Sequence, residues 1–105
     1  MINIEKLKQL FSEDEKLIEQ FLGIFKTDIP QYLSKLSDAT QKGDWGNISI
    51  FAHSIKSQSK YLDLKKIVSI AETIEHKAEL EEGLEDIASL LQDLEALLSD
   101  TIESM

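Results

Sequence analysis

Leu84-Glu85-Asp86-Ile87-Ala88-Ser89-Leu90-Leu91-Gln92-Asp93-Leu94-Glu95-Ala96-Leu97-Leu98-Ser99-Asp100-Thr101-Ile102 is the stretch on which the fold turns. Its apolar residues, Leu84, Ile87, Leu90, Leu91, Leu94, Leu97, Leu98 and Ile102, recur every three or four positions, the period of one helix face. Near-heptad spacing over two to three repeats fits either a coiled-coil seam or a core-facing helix of a bundle. A coiled coil sustains more heptads, so a core-facing bundle helix is expected.

Working back from residue 84, the same period returns three times. The acidic run Glu79 to Gly83 reads as a connection, and before it Ile67, Ile70, Ala71, Ile74 and Ala78 mark a helix that Asp63 is expected to cap. Another helix runs from Trp45 to about Lys60, with Asp44 as its N-cap, and ends in the turn Tyr61-Leu62-Asp63. Before that, Leu17, Phe21, Ile24, Phe25, Tyr32, Leu36 and Ala39 mark a helix ending at Gly43, with Leu22, Ile29 and Leu33 widening its apolar stripe. Ser12 and Glu15 have capping-box spacing at its start, and Pro30 inside it predicts a kink or short break. Ile4, Leu7 and Phe11 mark a short first helix. The expected fold is therefore all-α: an antiparallel up-down-up-down four-helix bundle with a short additional N-terminal helix, residues 1–105 forming a single domain.

Composition narrows the function. The 105 residues carry 20 acidic and 11 basic side chains, a formal charge of −9, which a nucleic-acid polyanion would repel. There is no cysteine for a disulfide, thiolate metal site or thiol nucleophile, and no arginine for a bidentate phosphate clamp. The four glycines stand alone at 23, 43, 46 and 83, so no glycine-rich phosphate loop exists. Charges interrupt every apolar run well short of a membrane span, and a soluble, cytoplasmic monomer is expected. Neither histidine follows a Glu at the Glu-x-x-His spacing of di-iron bundles. Glu72, Glu75, His76 and Glu79 share one side of their helix, away from its apolar stripe, and read as a solvated face rather than a metal site.

His53 differs from His76. At about 100° per residue from Ile48, the residues Ala52, Ile55, Ser59 and Leu62 fall within about 40° of one line, the buried stripe. On that wheel His53 lies at about 140°, Lys56 at about 80°, Ser49 at about 100° and Lys60 at about 120°. Ser57 follows at about 180° and Ile50 at about 200°. An exposed mid-helix imidazole with lysines one and two turns further on is predicted. Residues 45 to 71 hold four lysines and one acid, a local charge of +3 against −12 elsewhere, which suits an anionic group or an acidic partner surface.

The run Ala52-His53-Ser54-Ile55-Lys56-Ser57-Gln58-Ser59-Lys60-Tyr61-Leu62 resembles the signature of histidine-containing phosphotransfer (HPt) domains. That core is an alanine-preceded His, an apolar residue two on, Lys three on, and small residues four and six on. Phe25 to Leu36, Gly43-Asp44-Trp45, and Ile70 to Ala78 with Glu75 also look like the family pattern. The resemblance implies a phosphoryl carrier without kinase or nucleotide-binding activity, taking a phosphoryl group on Nε2 of His53 and passing it between receiver-domain aspartates. It implies that Lys56 offsets phosphoryl charge, and that a response-regulator receiver or hybrid sensor kinase docks around His53, at Ser49, Ile50, Ser57 and Lys60. No cofactor is expected on this chain; the divalent metal would belong to the receiver. Ser57 stands where the family usually has glycine, and Leu62-Asp63-Leu64 where it commonly has Leu-Gly. The competing reading is a helical adaptor that binds a signalling partner without being phosphorylated.

Overall fold

The computed structural model describes residues 2–105. Among them are five helices and no strand: α1 (Ile4–Leu10), α2 (Glu15–Lys42), α3 (Trp45–Tyr61), α4 (Lys65–Glu79) and α5 (Leu84–Glu103). α2 packs on α3, α3 on α4, α4 on α5, and α5 back on α2, while α3 and α5 face each other across the diagonal. This is the expected four-helix bundle, with α1 laid across the α2 and α3 side. At 1.5 Å per residue the 28 residues of α2 span about 42 Å, so α2 sets the long dimension of a 41 × 20 × 19 Å molecule.

The predicted stripes form the core. Ile48, Ala52, Ile55, Ser59 and Leu62 are fully buried, and they meet Ala71 and Ile74 of α4, Ile87, Leu94 and Leu98 of α5, and Phe25, Ile29 and Leu36 of α2. In α5 the buried apolar residues are Ile87, Leu91, Leu94 and Leu98, so its apolar face points into its own bundle. Leu17 and Ile24, read as part of the α2 stripe, are instead 45 % and 52 % exposed. They lie on the half of α2 that α3 and α5 leave uncovered.

Turn chemistry departs from expectation at three points. Ser12 does not cap α2: Ser12 and Glu13 sit in the left-handed region (φ 52° and 60°), and the cap falls further along the chain. Asp14 caps it, accepting from the backbone N–H groups of Lys16 and Leu17. Asp63 does not cap α4 either. Leu62 and Leu64 are both buried, so the chain must reverse at residue 63 with φ 55°, which turns its carboxylate away from the helix start. That carboxylate instead accepts from Asn3 Nδ2 at 3.0 Å and pairs with Lys6 at 3.5 Å, while Asn3 N–H donates to the Leu62 carbonyl. Asn3's hydrogen bond comes first, and Lys6's charge adds to it, in holding Asp63 below the ordinary carboxylate range. Finally, α2 runs through Pro30 without a break. Pro30 is exposed, so the Lys26 carbonyl that loses its i+4 donor lies on the solvent side.

Asp44 performs as expected. It accepts from Asn47 N–H at 3.2 Å and from Asn47 Nδ2 at 2.7 Å. Gly43 before it takes φ 64°, a conformation that closes α2 and that a Cβ would strain. This two-residue joint fixes where α3 begins and hence which way His53 faces.

Candidate functional site

His53 lies in the middle of α3, about two and a half turns from its N-cap. Ala52 and Ile55 on either side of it in sequence point into the core, so His53 points out, its side chain 58 % exposed. α3 and α4 form the most extensive helix pairing of the bundle. Small buried residues line their seam, Ala52 on α3 and Ala71 and Ala78 on α4, and let the two backbones come close.

Across that seam Glu75 of α4 reaches both His53 and Lys56 of α3. Its Oε2 lies 2.7 Å from His53 Nδ1, and its Oε1 accepts from Lys56 Nζ at 2.6 Å. Lys56 and Glu75 are largely buried, at 15 % and 12 % side-chain exposure, while the imidazole stands clear above them. Burial of Glu75 opposes its ionisation, but the hydrogen bonds from Lys56 and His53 outweigh this and hold its carboxyl below the ordinary range. The same hydrogen bond raises Lys56, against the opposing effect of its own burial.

A carboxylate only accepts, so the hydrogen shared with it sits on Nδ1 of the histidine. In the neutral ring the lone pair is then on Nε2, which has no protein partner among the described residues. The bond to Glu75 fixes the plane of the ring on its helix.

The other predicted residues divide into two groups. Ile50, one turn before His53, is 57 % exposed, and Ser49 beside it is half-buried. Ser57 and Lys60, one and two turns after it, border a shallow depression with Leu10, Tyr61 and Lys6, so α1 completes this end of the face. Lys56 does not join that group. It turns toward α4, and the open cation on the His53 side of α3 is Lys60.

Glu75 does not belong to a solvated face, contrary to expectation. The signal lies in its angle on α4, measured from Ile67. Glu75 sits at about 80°, against about 140° for Glu72 and about 180° for His76. It flanks the buried stripe, as Lys56 does on its own helix. Glu72, His76 and Glu79 are exposed as expected, and no cluster of three metal-ligating side chains forms among the described residues.

Helix order and bundle topology define an all-helical module that presents an exposed histidine backed by a carboxylate. The chain belongs to the Hpt domain family, whose model matches residues 20–103. Among solved structures, it resembles histidine-containing phosphotransfer protein B (HptB) from Pseudomonas aeruginosa PAO1, with 20 % identity and TM-score 0.70 over 99 % of this chain and 96 % of that one. It is similar also to the HPT domain of the Hpt sensor hybrid histidine kinase from Shewanella, with 14 % identity and TM-score 0.71 over 99 % of this chain and 95 % of that one. At these identities the two structures establish the fold. No curated protein sequence matches the chain. Hpt domains are histidine phosphotransfer modules of phosphorelays, carriers rather than kinases. Among the described residues no helix is long and apolar enough to cross a membrane.

Proposed function

We propose that this protein carries a phosphoryl group on Nε2 of His53, exchanging it with the aspartate of a response-regulator receiver domain or of a hybrid kinase's receiver. The observation that carries the reading is the 2.7 Å contact between His53 Nδ1 and Glu75 Oε2, which leaves the outer ring nitrogen as the nucleophile. In transfer toward this chain, the Nε2 lone pair forms the P–N bond as the P–O bond to the receiver aspartate breaks. The bonding pair leaves with the aspartate carboxylate. Positive charge then develops on a ring that keeps its Nδ1 hydrogen, and the Glu75 carboxylate stabilises it. The reverse step runs through the same contacts.

Lys56, held on the other oxygen of Glu75, would offset phosphoryl charge through its own positive charge. Phosphoryl transfer of this kind needs alignment and charge neutralisation more than acid–base machinery. The receiver would supply the aspartate and the divalent metal, docking on Ile50, Ser49, Ser57 and Lys60. The carrier acts as a cytoplasmic monomer.

The test is intact-mass analysis after incubation with phosphoramidate, beside His53→Gln. One acid-labile phosphoryl group on the wild type and none on a variant of unchanged helicity is the expected result. No adduct on folded wild-type protein would overturn the carrier reading in favour of an adaptor.

A further inference from the structure

On the side of the bundle away from His53, residues of the C-terminal halves of α2 and α5 line a groove of about 540 Å³. Half-buried Leu33 and Ile102 form its floor, and exposed Pro30, Asp38, Glu95 and Glu103 its walls. No basic residue lines it. We propose that this groove is a docking site for a cationic amphipathic segment of a partner protein, one that presents apolar side chains to Leu33 and Ile102 and Lys or Arg to the acidic walls.

Three independent features point to that chemistry. First, α1, α2, α3 and α4 each carry a basic residue in the last turn, where the helix dipole favours it (Lys8, Lys42, Lys60, and His76 with Lys77). α5 has none there, and Glu103 at its end adds negative charge to the negative pole of the dipole. A cation from outside would relieve both. Second, Pro30, which lines the groove, has no N–H, so α2 leaves one backbone acceptor there, the Lys26 carbonyl, without its i+4 donor. Third, the walls are complementary in charge to a cation while the floor is apolar, which selects against both a purely charged ligand and an acidic one. A second copy of this chain, at −9, is disfavoured by the same charge. Because α5 lies diagonal to α3, a segment held here leaves the His53 face uncovered.

The probe is a synthetic amphipathic helix of lysine and leucine, about 12 residues long, titrated into the isotopically labelled full chain and followed by amide chemical shifts. The expected shifts are confined to the second halves of α2 and α5, with His53 and Ser57 unmoved, and they weaken as salt is raised from about 50 mM to about 0.5 M. Glu95→Lys with Glu103→Lys lowers the affinity about tenfold or more. Ser99→Trp, an exposed position that fills the groove without touching the core, does the same with circular dichroism unchanged. Absence of shifts overturns the proposal. So do shifts spread over the acidic surface at large, equal shifts from a peptide with serine in place of leucine, or affinity that survives both variants.

Discussion

His53 and Lys56 both bond Glu75, yet only one of them is buried with it. Lys56 and the carboxylate form a largely sequestered ion pair, and the imidazole uses the second oxygen while remaining open to solvent. Glu75 therefore links the stability of the α3–α4 seam to the orientation of the His53 ring.

Glu75→Gln tests both roles. Glu75 is held below its ordinary value of 4.5, so its stabilising contribution is present above that pH and is lost as pH falls through the lowered value. Lys56 is raised above 10.5, so its contribution is present below that pH and is lost as pH rises through the raised value. The variant should lose about 1–2 kcal/mol near neutrality and flatten both limbs of the stability–pH curve, measured by urea unfolding from acid to alkaline pH. It should also slow phosphoramidate labelling of His53, because a neutral amide no longer stabilises the charged ring. Unchanged limbs would separate Glu75 from the pair.

Lys56→Ala should slow labelling about tenfold, the effect of roughly 1.4 kcal/mol in the transition state, without stopping it. The nucleophile and its hydrogen-bond partner stay in place, and only charge neutralisation is lost. Labelling time courses by intact mass decide this, and an unchanged rate would remove Lys56 from the reaction.

Much of this arrangement is legible in the chain, and the parts that are not share a cause. The Ile48–Ala52–Ile55–Ser59–Leu62 stripe, the exposure of His53 and Ile50, and the Asp44 cap all follow from spacing within one helix or its own turn. Glu75 is decided by the register of α4 against α3, which neither helix encodes alone. Asp63 is decided by α1, which arrives from 60 residues away to supply Asn3. Leu17 and Ile24 sit at helical spacing with core residues, but the apolar stripe of α2 is wider than its neighbours α1, α3 and α5 cover.

Ser57 separates docking from chemistry. It is half-buried at the rim of the depression that Leu10 and Tyr61 share, one turn from His53. Ser57→Trp should leave labelling by the small reagent phosphoramidate within about twofold, since Nε2 is untouched. Transfer from a phosphorylated receiver domain should fall about tenfold or more, because a bulky side chain holds the partner's aspartate away from the ring. Gel-based transfer assays with both donors give the comparison, and equal losses in the two would place Ser57 in the chemistry instead.

The matched family segment begins at residue 20, which leaves α1 outside it, yet α1 is built into the bundle. Leu7 is fully buried, the Phe11 ring lies tilted 5.6 Å from that of Phe21, and Phe21 lies edge-on 5.4 Å from Tyr61 of α3. Asn3 and Lys6 fasten the same helix to the Asp63 turn. Leu7→Ala should therefore cost about 2–4 kcal/mol, the range for a buried leucine truncated in a core that relaxes only partly. Urea unfolding should remain one transition whether read by helicity or by Trp45 fluorescence, because α1 shares its buried surface with α2 and α3. A separate early transition, with the rest of the bundle as stable as in the wild type, would mean that α1 is an appendage and that Leu10 and Lys6 are not fixed parts of the face beside Ser57.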